Sequence, residues 1–186
     1  MKRRPYADSD REKLLVAIRL AAMAGLAYSQ KDYVNYSYIS LLPRDETDGQ
    51  IRTACMSERI FENENQLLAA LDLSLAGREA EIYFFGENEA SIASTQYLRQ
   101  AGELARLHSR LYGKGSFLRQ GSPEHNSEQL RMKMDNEVID LIEKRKEIVK
   151  LTIKNKERKI SKLAEKLIKK EAMSKKEAEN VLGSFF

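Results

Sequence analysis

At 186 residues and 42% hydrophobic content, the chain is long enough to bury one good core with room for a small second unit. A single cysteine, Cys55, excludes an intrachain disulfide, and no apolar run reaches the roughly 18 residues of a membrane span, the best, 14–28, being interrupted by Arg19. The net charge of +4 is unevenly spread: residues 1–125 hold 16 Lys and Arg against 17 Asp and Glu, residues 126–186 hold 16 against 11, and 144–170 sets 12 basic residues against Glu147, Glu157 and Glu165.

Met1-Lys2-Arg3-Arg4 opens as a secretory leader does, but Asp8, Asp10 and Glu12 stand where its apolar stretch would begin, so a cytoplasmic setting is expected. Ser9 and Glu12 form an S-x-x-E capping box. It predicts a first helix over 9–28, with Leu14, Leu15, Ile18, Ala21, Ala22 and Leu26 on one face. Tyr36, Tyr38 and Ile39 favour a strand over 36–42; the turn-rich 43–49 and a return strand over 51–56 would complete a hairpin. A second helix is expected over 64–76, between the N-cap Asn63 and the C-cap Gly77, with Leu67, Leu68, Leu71 and Leu75 on its apolar face. Residues 80–85, Ala-Glu-Ile-Tyr-Phe-Phe, give the strongest strand signal, closed by Gly86. A third helix over 89–112 would bury Ile92, Tyr97, Leu98, Leu104, Leu107 and Leu111. The order α-β-β-α-β-α predicts a small α+β domain over 1–112.

Gly113, Gly115 and Gly121 mark a linker, 113–123. Ser122-Pro123-Glu124 is a good helix start, and the absence of Gly and Pro from there to 170 predicts one long basic helix over 124–172, roughly 65–70 Å if continuous to its end. Leu130, Met134, Val138, Leu141, Val149, Ile153, Ile160, Leu163 and Leu167 give it a coiled-coil-like stripe, with Arg145 and Lys156 at seam positions. So narrow a stripe needs a partner, either a second copy, making a homodimer, or the body of its own chain. Ser174 and Glu177 form a second capping box, opening a short terminal helix over 174–186.

The residues from Ile160 onward resemble the helix-turn-helix that opens the histone-like HU/IHF family. The match lies in Leu163 of the first helix, the start Ser174-Lys175-Lys176-Glu177-Ala178 of the second, and the closing Phe185 and Phe186. The resemblance implies that Leu163, Leu167, Ala178, Val181, Leu182, Phe185 and Phe186 are packing positions of a dimerising helical end. The sheet and β-arms with which that family grips the minor groove have no counterpart here.

His108, His125 and Cys55 share no ligand-like spacing. Gly113-Lys114-Gly115-Ser116 misses the phosphate-loop pattern, with His108 where Gly is required. Glu58, Glu62 and Glu64 read as acids complementing a helix dipole. Tyr28, Tyr33, Tyr36 and Tyr38 read as core aromatics or, alternatively, as platforms for unpaired bases. With no catalytic constellation, the sequence predicts a non-enzymatic nucleic-acid-binding accessory protein needing no cofactor or metal. Its arm, Lys144, Arg145, Lys146, Lys150, Lys154, Lys156, Arg158, Lys159, Lys162, Lys166, Lys169 and Lys170, would lie along the phosphates of DNA or RNA. The alternative is a coiled-coil interaction module, its lysines solvated or facing an acidic partner.

Overall fold

A computed structural model describes residues 10–42, 50–53, 63–112 and 127–183. Helix α1 (Asp10–Ser29) is buried on every side from Val16 to Ala27, as befits a helix at the middle of a core. Ala17, Ala21, Ala22, Ala24, Gly25 and Ala27 keep it slim, so its neighbours approach closely. The first capping box and the hairpin loop lie outside the described residues. The strands flanking that loop are β1 (Tyr36–Ser40) and β2 (Gln50–Thr53). They pair antiparallel, with Ile39 opposite Ile51.

Helix α2 (Glu64–Phe85) begins at Asn63, whose side chain accepts from Gln66 N at 3.0 Å. It does not stop at Gly77. It runs through 80–85, the segment expected to be a strand, and ends at Gly86 (φ 100), whose N–H donates to the Ile82 carbonyl at 2.9 Å. Ala80 and Glu81 are buried, so tertiary packing of this turn overrides the β propensity of Ile82-Tyr83-Phe84-Phe85. Two short 3₁₀ turns, Glu87–Glu89 and Ile92–Ser94, lead to α3 (Thr95–Tyr112). Ile92, expected on an apolar face, is exposed.

The Gly-containing linker and Ser122-Pro123-Glu124 lie outside the described residues. Helix α4 (Glu128–Asn155) is capped by Ser127, whose hydroxyl accepts from Leu130 N at 3.3 Å. The expected single long helix breaks at Lys156 (φ −113, ψ 12) into α4 and α5 (Glu157–Lys170). The break lets α5 pack on α1, burying Ile160, Leu163, Ala164 and Leu167. Glu171, at φ 64, then turns the chain into β3 (Ala172–Ser174). That strand pairs antiparallel with β1, giving the sheet order β2-β1-β3. Helix α6 (Lys175–Gly183) follows, opened by the expected capping box: Ser174 N donates to Glu177 Oε2 at 2.9 Å, and Glu177 N donates to Ser174 Oγ at 3.4 Å.

One core cluster extends from Val16 to Leu182. The α+β expectation is therefore corrected to a predominantly helical fold with a small three-stranded sheet. The apolar stripe of the arm is consumed within its own chain: Val149, Ile153, Ile160, Leu163 and Leu167 all belong to that cluster. Among the described residues, no helix is long and apolar enough to cross a membrane.

Candidate functional site

The arm residues do not share one solvent-facing stripe. Arg145 forks onto Asp72, with Nε 2.6 Å from Oδ1 and Nη2 on Oδ2, and Asp72 is fully buried. Lys146 pairs with Glu143 at 2.7 Å, Lys150 with Glu147 at 3.0 Å and Lys170 with Glu177 at 2.7 Å. Lys159 Nζ donates to the Leu182 carbonyl at 2.8 Å. Lys156 lies over the Tyr28 ring, 5.1 Å from its centroid, and burial, with Lys159 nearby, lowers its pKa. Lys162 is half-buried, while Lys144, Lys154, Arg158, Lys166 and Lys169 are exposed. Lys150 and Lys154 also line a shallow cleft of about 290 Å³ between α2 and α4, together with Glu79, Tyr83 and Leu151.

The tightest polar constellation lies elsewhere, between α1, α2 and the 3₁₀ turns. Arg19 is 2% exposed and Glu81 0%; the Nε of Arg19 donates to Glu81 Oε1 at 2.5 Å. Nη2 of Arg19 donates to Ser91 Oγ at 2.9 Å. Ser91 closes the ring: its N–H donates to Glu81 Oε2 at 2.8 Å and its hydroxyl to Oε1 at 3.2 Å. Gly86 and the first 3₁₀ turn swing Ser91 back over the end of α2 to make this possible. Tyr97 stands beside the pair; burial raises its pKa and the neighbouring Arg19 opposes the shift. Next to it, Arg78 Nη1 donates to Ser94 Oγ at 3.2 Å. The reading of the sequence missed this centre. Its signal was Arg19 itself, a charge in the middle of the otherwise apolar run 14–28, which demands a buried counter-charge.

The other sequence candidates are dispersed. Cys55, Glu58, Glu62 and His125 lie outside the described residues. Glu64 meets His108 Nε2 at 3.0 Å. Tyr33 Oη accepts from Asn65 at 3.4 Å. Tyr36 is a core residue whose hydroxyl has no partner among the described residues. Burial, with Glu179 nearby, pushes its pKa upward.

The sequence pattern of peptidase family M41 matches residues 7–181. The chain belongs to that family. It is similar, at 26% identity over 94% of its length, to the ATP-dependent zinc metalloprotease FTSH 11, chloroplastic/mitochondrial, of Arabidopsis thaliana. It is 25% identical to the ATP-dependent zinc metalloprotease YME1L1 of Mus musculus and 28% identical to the ATP-dependent zinc metalloprotease FtsH 3 of Sphaerobacter thermophilus, over 97% of its length in both cases. The chain spans 22%, 26% and 37% of these three relatives, respectively.

Membership in M41 overturns four expectations. The match runs through 160–181, so the likeness of that segment to HU/IHF proteins is one of capped, Lys-rich helices and not of family. The nucleic-acid reading and its DNA or RNA partner give way to a peptidase family. The coiled-coil reading fails with them, and so does the expectation of a non-enzymatic accessory protein. The physical reason is visible in the arm. Arg145, Lys146, Lys150 and Lys170 are paired with acids of the same chain, and its apolar stripe is core.

Zinc, named in all three relatives, is a separate matter. A zinc peptidase helix presents two histidines four residues apart, with a glutamate after the first, H-E-x-x-H. The 186 residues contain His108 and His125 alone, followed by Ser109 and Asn126. Among the described residues, no three His, Cys, Asp or Glu side chains gather to hold a metal. The buried polar centre carries a guanidinium, a carboxylate and hydroxyls. A guanidinium, permanently protonated and without a lone pair to offer, cannot ligate. The sequence, without H-E-x-x-H, and the described residues do not fit a catalytic zinc.

Proposed function

We propose that this chain acts in ATP-dependent proteolysis as an M41-type domain, working with the ATP-driven part of such a protease. The observation that carries the reading is the family match over 175 of 186 residues, 7–181, supported by relatives named ATP-dependent zinc metalloproteases. The 186 residues contain no H-E-x-x-H, so the part assigned to this chain lies in the process and not in a zinc-dependent hydrolytic step. The test combines the purified chain with an ATP-dependent zinc metalloprotease from the same cell and follows degradation of a fluorescent unfolded substrate. An ATP-dependent change in rate that scales with the added chain is the expected result. An unchanged rate, with no association by sedimentation, would sink the reading.

A further inference from the structure

Arg19 is the only buried charged side chain on α1. It shares a face with Met23, four residues on, and both meet Gly77 of α2: a Cβ built on Gly77 would lie 2.8 Å from Arg19 Cγ and 3.6 Å from Met23 Sδ. One turn beyond Gly77 on α2 stands Glu81, which receives the guanidinium. Two side chains at i and i+4 on a buried helix face, with a carboxylate as the third group, is the layout of a metal-binding peptidase helix. Here those two positions hold a guanidinium and a thioether.

We infer that Arg19 is a built-in cation occupying what would otherwise be a metal position, so that this domain folds and holds its polar centre without a divalent ion. The physical requirement is charge balance. A carboxylate as deeply buried as Glu81 must be compensated, and either a metal or a permanently charged guanidinium meets that need. Ser91 and Tyr97, which also touch the pair, are uncharged hydroxyl groups and cannot take that role, and the neighbouring Arg78 is turned to Ser94. The inference rests on the fold and the family, and not on the proposed part in proteolysis.

The experiment uses the full chain in two arms. In the first, the wild type is analysed for bound metal and unfolded thermally with and without EDTA; the expectation is no stoichiometric zinc and an unchanged Tm. In the second, the variant carrying Arg19→His and Met23→His is titrated with Co²⁺. One-to-one binding is expected, with visible absorption and a Tm that rises with metal, neither of which the wild type shows. Adding Glu81→Gln should weaken that binding by about tenfold or more, a loss that even outer-shell partners produce. Stoichiometric zinc in the wild type, or a Tm lowered by EDTA, overturns the inference. So does a double variant with native circular dichroism that binds no Co²⁺. If the double variant does not fold, the wild-type arm decides alone: bound zinc overturns and its absence supports. Neither arm reads proteolysis, so failure here is distinct from failure of the proposed role.

Discussion

Asp72 shows what a single buried charge demands. It is fully buried, and its two oxygens are held by the fork of Arg145 and by Gln30, whose Nε2 donates at 2.6 Å. Removing the guanidinium strands the carboxylate. Arg145→Ala is expected to cost ~3–5 kcal/mol in chemical denaturation, and pairing it with Asp72→Leu should recover much of the loss. Additive costs in that cycle would contradict the coupling. At the surface, Glu177 is held well below its ordinary 4.5, at about 2, by the Lys170 ammonium first and then by the Ser174 N–H and hydroxyl. A depressed folded-state pKa stabilises above the unfolded value and ceases to as the carboxylate protonates. The Tm gap between wild type and Glu177→Gln should therefore be full above pH 4.5 and close as pH falls toward 2. A gap constant across that window would show that the cap does not depend on the charge.

Between helices, the controlling quantity is how closely α1 and α2 approach. Gly77 lies in the middle of α2, where alanine would add about 1 kcal/mol of helix propensity. A Cβ there, however, would meet Arg19 Cγ at 2.8 Å, and Arg19 is pinned by Glu81. Gly77→Ala is therefore expected to destabilise by about 1–3 kcal/mol, as overpacking does, and a rise in Tm would count against this account of the contact. The junction between α5 and β3 is strained in the opposite sense. Glu171 sits at φ 64, a conformation that suits glycine at helix C-termini. Glu171→Gly should raise stability by about 1 kcal/mol, readable as a higher denaturant midpoint at unchanged slope.

For the molecule as a whole, the single core cluster makes the C-terminal helices part of the fold. Leu167 is fully buried and α5 rests on α1, so Leu167→Ala should cost ~2–5 kcal/mol and shift one cooperative transition. Two transitions would mean that the C-terminal helices melt as a separate unit. On a coiled-coil reading, Ile153→Asp or Ile160→Asp would alter oligomeric state. Here both positions are buried in the chain's own core, and either change should unfold the domain.

The sequence by itself determined what is local. The first helix, the β1 strand, the Asn63 cap and the Ser174–Glu177 box all depend on residues a few positions apart, and each is found where expected. The charge asymmetry was equally legible, but its meaning was not. Whether a lysine faces phosphate, an acid one turn away or a tyrosine ring is settled by which surfaces meet. Only the tertiary structure decided that 80–85 continues a helix, that the long helix breaks at Lys156, and that 172–174 pairs with β1. It alone brought Arg19 to Glu81, 62 residues away, and Arg145 to Asp72, 73 residues away. Burial is a property of the assembled core, and buried charges find their partners across it, at separations that no window of sequence spans.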